Sequence, residues 1–388
     1  MRIFLYYLIS IFLVLGAISC KKTDNTDRIL TIAEQIVEQF PDSTLTLLDS
    51  IPTPFMLNDK RLNKYWLLQI QAKDKLYGDI ASDTIIFKVR DYYKKKKDIE
   101  NTALSSFYCG RVLHEQGKHK EAMEEYLKTD EYAGKTKNTN LKGLSQSLIG
   151  ETLLNELLQT EAIEHFKVAA QYFHEAKNIK NEIISYKLIG NAFLMNSISD
   201  SAFYYYDKGL RLAEVNNDSM LITSLIHNIG IVYQETGRYE SAVECFRSTA
   251  EYVANSDNKI KLYLNISKTF YGIGMLDSAK VYADKSLSLL PDSTDVLAVA
   301  GIYKTLFQIA EKQADFKQSL EYYKEYVRNL ENIFYENKNK DMKFSKNERQ
   351  LFFEKDVQHF PLREEPNGTQ TASGQGTGNR KTGPLHNI

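Results

Sequence analysis

The residues able to do chemistry in this 388-residue chain are few and far apart. His114 and His119 are neighbouring imidazoles, and a pair of imidazoles can begin a metal site. Five residues across a helix end set them on no common face, so they read as surface histidines. Glu124 and Glu125 are adjacent carboxylates of the type that divides acid and base work. Neighbours on a helix point apart, and this pair reads as a solvated face. Cys109 and Cys245 lie too far apart along the chain to suggest a disulfide and read as small core residues. No HExxH, Gly-rich phosphate loop, GxSxG or CxxC occurs. The chain therefore reads as a non-enzyme that needs no cofactor and no metal.

Charge narrows the partners. Lys and Arg total 49 against 50 Asp and Glu, a formal net charge of −1. Nothing here would grip the phosphates of nucleic acid, so nucleic acid is not an expected partner. The 25 tyrosines and 19 phenylalanines could stack bases, but most fall at helical spacing and read as packing between helices. What remains is binding of a protein or peptide.

The elements that would position such a site repeat. Ser224 to Thr249 reads as two short amphipathic helices around a turn at Thr236 to Tyr239, with Gly237 free to take positive φ. Gly230 is small where the first helix meets the second, Ala242, twelve residues on, is the matching small contact, and Tyr233 and Phe246 are large knobs that fill the space the small residues leave. The Gly–Ala pair recurs at Gly110 and Ala122, Gly150 and Ala162, and Gly190 and Ala202, followed by Tyr126, Phe166, Tyr206 and Phe246. Ser267 with Ala279 and Phe307 with Ser319 continue the series more weakly. A helix pair this short cannot bury its own apolar face and must stack on copies of itself.

The spacing of these residues resembles the tetratricopeptide repeat (TPR), whose signature has Gly at position 8, Ala at 20 and an aromatic at 24. The resemblance implies an all-α fold, a TPR-type α-solenoid in which helix pairs of period about 40 stack as a right-handed superhelix. It also implies a groove lined by first helices, chiefly at positions 2, 5, 9, 12 and 13. Those positions supply Arg111, Glu115, Glu151, Lys187, Asn191, His227, Gln234, Glu235, Lys268, Lys304 and Glu311. Lys187 and Asn191 resemble a clamp on peptide carboxylates or amides. Arg111, Lys187, Asn191, His227, Gln234, Lys268 and Lys304 are the expected peptide contacts. Basic residues crowd the C-terminal half, which suits an acidic or C-terminal segment.

The ends carry other signals. Residues 1–19 hold one Arg, an apolar run and small residues, the pattern of an export signal. The stretch Ala17-Ile18-Ser19-Cys20 resembles the lipobox of bacterial lipoproteins, with Ala17 where Leu is usual. It implies a Cys20 carrying lipid, a polar tether at 20–27 and a chain held to a membrane of the cell envelope. Residues 28–102 read as two degenerate helix pairs, 103–335 as the repeat array, 336–360 as a charged helical extension and 361–388 as a disordered tail. Asp200 and Asp277 read as N-caps, and the Asn-rich stretches between repeats as helix ends. The lysine run Lys94 to Lys97 suits a helix C-terminus.

Two functions are compatible with these readings. One is a lipid-anchored envelope scaffold that binds a protein or extended peptide in its groove. The other is the periplasmic sensing portion of a membrane-spanning regulator. In similar TPR lipoproteins a charged helix, a membrane span and an output segment follow the repeats. Read one base later from Glu365, the tail can encode a charged amphipathic helix running into an apolar start, as a frameshift would produce.

Overall fold

The computed structural model describes residues 25–253, 255–290 and 296–339. Cys20, the leader, and the tail beyond residue 339 lie outside them. The chain divides into two units, Met1–Phe334 and Tyr335–Ile388. The described part of the second is only the closing turn of one helix, and the fold is that of the first.

Sixteen helices are described, and they form eight antiparallel pairs. The first pair is α1 (Asn25–Ile36) with α2 (Pro41–Asp49). A 3-10 turn at Pro54–Met56 leads into α3 (Asp59–Lys75) and α4 (Ile85–Lys96). Then come α5 (Ile99–Glu115) with α6 (His119–Gly134), and α7 (Thr139–Asn155) with α8 (Gln159–Glu175). They are followed by α9 (Ile179–Met195) with α10 (Ser199–Val215), and α11 (Ser219–Glu235) with α12 (Tyr239–Thr249). The last are α13 (Ser256–Ile273) with α14 (Leu276–Ser288), and α15 (Val296–Lys312) with α16 (Phe316–Asn339). Each second helix packs on its own first helix and, in most cases, on the first helix of the next pair, so the stack is an α-solenoid.

In four pairs the glycine at position 8 leaves room that a large side chain of the second helix fills, as expected. A Cβ on Gly110 would lie 2.4 Å from Cε1 of Tyr126, and one on Gly190 would lie 2.4 Å from Cε1 of Tyr206. Gly150 meets Phe166 at 2.7 Å and Gly230 meets Phe246 at 2.8 Å in the same way. The partner of the glycine is thus the aromatic ring at position 24. Ala122, Ala162, Ala202 and Ala242 are fully buried beside it. Positions 8 and 20 still touch through the backbone, since Ser267 Oγ donates to the carbonyl of Ala279 at 2.7 Å.

Boundaries between repeats are set by N-caps, which corrects two expectations. Asn58, Asp98, Asn138, Asn178 and Asp218 recur every 40 residues, and each side chain accepts from the backbone N–H three residues on. The Asn-rich stretches therefore also start the next helix. The left-handed residue that ends the preceding helix comes one earlier, at Lys97, at Lys177 and, as expected of Asn, at Asn217. Asp200 and Asp277 are not caps. They lie in the first turns of helices capped by Ile198 and Met275, where their charge suits the helix dipole.

One smaller expectation also moves. Glu125 is not solvated: it is 5 % exposed and takes Arg90 Nη1 and Lys128 Nζ at 2.8 Å each. Gly237 takes the expected positive φ of 74°.

Candidate functional site

Successive first helices approach one another, α1 with α3, α3 with α5, α5 with α7, α9 with α11 and α13 with α15. Side chains at positions 5, 9, 12 and 13 therefore share one face of the stack. A cleft of about 500 Å³ follows it, walled by Asp74, Arg111, Ser147, Glu151, Asn181 and Ile184. A second of about 350 Å³ adjoins it through Glu38, Lys75, Asn140 and Leu144.

Arg111 stands at the centre of the larger cleft. Its Nε donates to Asp74 Oδ1 at 3.0 Å and its Nη2 reaches Glu115 Oε1 at 3.3 Å. The next first helix sets Glu151 nearby. Burial raises its carboxyl above the ordinary carboxylate range, against the opposing pull of Arg111, the Ser147 hydroxyl and Lys187. Lys187 is itself half-buried, and burial lowers its ammonium while Glu151 acts to raise it. No ion pair closes between these two among the described residues. An alternating row of charges results, Asp74, Arg111, Glu151 and Lys187, with its last two members only partly neutralised.

Asn191 sits one turn beyond Lys187 on the same helix. Its Oδ1 accepts from the Tyr206 hydroxyl at 2.7 Å and from Asn228 Nδ2 at 3.0 Å. The acceptor end of the expected clamp is thus committed within the protein, and the amide nitrogen is the end left to a ligand. Tyr206 reaches Asn191 from the second helix of its own repeat. The equivalent Tyr126 hydroxyl is buried beside Arg111. Tyrosine thus stands at position 24 where position 9 carries Arg or Asn, while Phe166 accompanies Glu151 and Phe246 accompanies Ile231.

The C-terminal contacts divide into two kinds. His227 packs against Phe246 with ring centroids 5.2 Å apart, and its Nε2 lies 3.2 Å from Asn265 Nδ2. Burial lowers it to about 4, so the ring is neutral near pH 7. Gln234 Nε2 donates to the Asn265 carbonyl and to Thr269 Oγ1, both at 3.0 Å. These two side chains tie α11 to α13. Lys268 and Lys304 differ. Lys268 is exposed, and its ammonium is lowered by the protein around it and then by the like charge of Lys304. Lys304 lies over the Tyr326 ring at 5.6 Å. The structure thus joins Arg111 and Lys187 in one cluster and Lys268 and Lys304 in another.

His114 and His119 meet edge to face, with centroids 5.0 Å apart. They are half-buried rather than surface residues, and each has a buried Nδ1 without a hydrogen-bond partner. Among the described residues no group of three or more His, Cys, Asp or Glu is placed to hold a metal ion. Cys109 and Cys245 are both free; Cys109 is buried as expected, and Cys245 is only half-buried.

Comparison with known proteins agrees with this geometry. The family described as the SusR N-terminal TPR domain matches residues 161–298. No curated protein matches. Among solved structures, the apo form of RapI superposes with a TM-score of 0.60 at 13% identity, covering 80% of this chain and 98% of that one. NprR in complex with its cognate peptide NprX gives 0.57 at 17% identity, covering 87% and 99%. A signal-transduction ATPase of the STAND class from Pyrococcus horikoshii, which has a tetratricopeptide-repeat sensor, gives 0.64 at 14% identity. That match covers 81% of this chain and 49% of the ATPase. At such identities the likeness is one of fold.

Proposed function

We propose that this tetratricopeptide-repeat chain binds an extended protein or peptide segment along its first-helix face, while held to a bacterial envelope membrane by lipid on Cys20. The observation that carries the binding half is the like-charged pair Lys268 and Lys304 on successive first helices, where the charge of Lys304 adds to the cost of the charge on Lys268 and Glu235 offsets it only in part. An acidic side chain or a C-terminal carboxylate laid between them relieves that repulsion. The row Asp74, Arg111, Glu151 and Lys187 extends the same face, and the amide nitrogen of Asn191 offers donors to a peptide backbone. A neighbour of the same fold, NprR, has been solved with its cognate peptide, which supports a peptide as the class of ligand.

The test is capture of a partner from detergent-solubilised envelope by the wild-type chain and by a K268E/K304E variant. Loss of the captured protein in the variant, with helicity unchanged, is the expected result. Unaffected capture would move the site off this face. The anchor has its own test: radiolabelled palmitate should enter the wild-type chain and be absent from a Cys20→Ala chain.

A second reading draws support from the family match, because the matched family is described as an N-terminal domain. In this reading the array is the sensing portion of a longer regulator, and sequencing the gene across Glu365 in independent isolates tests it. A single-base slip there would support the regulator, and an intact frame with the same tail would support the scaffold.

A further inference from the structure

Two strongly exposed apolar side chains sit side by side in the turn between the first two repeats, at one end of the stack. Phe55 is 78 % and Met56 85 % exposed, in the 3-10 turn between Pro54 and Leu57. No residue of the groove uses them. Tyr77 is more exposed still, but it follows α3 and so lies at the opposite end.

Topology fixes which end carries the turn. Helices α1 and α2 are antiparallel, so the start of α1, the end of α2, the turn and the start of α3 share one end. A direct contact confirms this: Arg61, in the first turn of α3, meets Asp27, in the first turn of α1, at 2.8 Å. By the same alternation the end of α4 lies there too, which brings Lys94 to Lys97, all exposed, to that side. Lys135 and Lys177 mark the same edge at the next two boundaries. Two protruding apolar side chains beside a band of lysines form an amphipathic surface of the type that rests in the headgroup layer of an anionic bilayer.

Chain length supplies the reason this end would meet a bilayer. This step rests on lipidation of Cys20, as proposed above. Five residue steps separate Cys20 from Asn25, the first residue of α1. A chain of that length spans at most about 18 Å even when fully extended. A lipid on Cys20 therefore confines the start of α1, and the turn beside it, to the immediate neighbourhood of the membrane. We infer that the Phe55–Met56 turn inserts into the bilayer interface and the adjoining lysines rest on anionic headgroups, so that the solenoid is held by one end and not left swinging on its tether.

Trp66, the only tryptophan of the chain, is a reporter at the right place, since its ring centroid lies 5.7 Å from that of Phe55. The full chain, extracted from bacterial membranes, is reconstituted into vesicles of phosphatidylcholine and phosphatidylglycerol with and without bromine on the acyl chains. The expected result is a loss of Trp66 emission in the brominated vesicles. An F55S/M56S variant should still float with the vesicles yet show no such loss. Replacing Lys94, Lys95, Lys96 and Lys97 by Gln should weaken the loss in phosphatidylglycerol, and an unchanged value would overturn the role given to the lysines. The wild-type comparison needs no variant to fold. A wild-type chain that floats but emits equally in both vesicles would overturn the inference and leave the anchor standing. A chain that neither floats nor carries lipid would overturn both.

Discussion

At the scale of single residues, the contact between position 8 and position 24 is the sharpest feature. In an exposed helix interior Ala is better than Gly by about 1 kcal/mol. Here the Cβ of a Gly190→Ala variant would meet the Tyr206 ring at 2.4 Å. Overpacking of this kind costs roughly 1–3 kcal/mol and outweighs the propensity gain. The denaturation midpoint of the variant should therefore fall, and a rise would refute the packing. His227 gives a pH test. Its folded-state value is depressed by burial from the usual 6.5 to about 4, so the unfolded chain binds the proton more tightly. Stability from this group is full above 6.5 and is lost as the pH falls from 6.5 toward 4. Each tenfold change in proton affinity is worth about 1.4 kcal/mol, which bounds the effect at about 3 kcal/mol. A His227→Gln chain should lose stability less steeply than wild type across that window, as read by chemical denaturation. Gly230, Ala242 and Phe246 were legible in the sequence by type and spacing, with the ring filling the room the small residues leave. How closely the ring edge meets the glycine was not, because that depends on its reach across to the facing helix. The buried Glu125 was illegible for a related reason: its partner Arg90 comes from the preceding repeat, 35 residues away.

At the scale of elements, the caps carry the period better than the glycines do. Asn58, Asp98, Asn138, Asn178 and Asp218 keep a spacing of 40 that reaches back into the second pair, where the glycine is missing. The Asn-rich stretches were visible in the sequence. Half of their role was read: Asn216 and Asn217 do end α10, but Asn138 and Asn178 start helices, because Asn serves both a left-handed helix end and an N-cap and composition does not separate the two. Asn178 does double duty: Oδ1 accepts from Asn181 N–H at 3.1 Å, and Nδ2 donates to Asn140 Oδ1 at 2.8 Å, joining two boundaries. Asn178→Ala should cost about 1 kcal/mol. Amide exchange should quicken first at the start of α9, and protection unchanged there would show that the cap contributes nothing.

At the scale of the molecule, stability in a solenoid is a sum over repeats and their interfaces, so damage stays near its origin. The architecture was legible because the repeat is a local code written several times. The groove was legible only as a set of positions. Asn191 and Gln234 fell at groove positions, yet hydrogen bonds committed parts of both to neighbours that spacing could not reveal. Lys187 and Lys268 are the charges that the proposed ligand would meet, and they make the central claim testable by position. A photo-crosslinking amino acid placed at 187 or 268 samples the first-helix face, and one placed at Arg211 or Glu244, both exposed on second helices, samples another surface. In intact cells the account predicts one shared crosslinked partner at 187 and 268, and none at 211 or 244. The same partner crosslinking at 211 and 244 but not at 187 and 268 would contradict it.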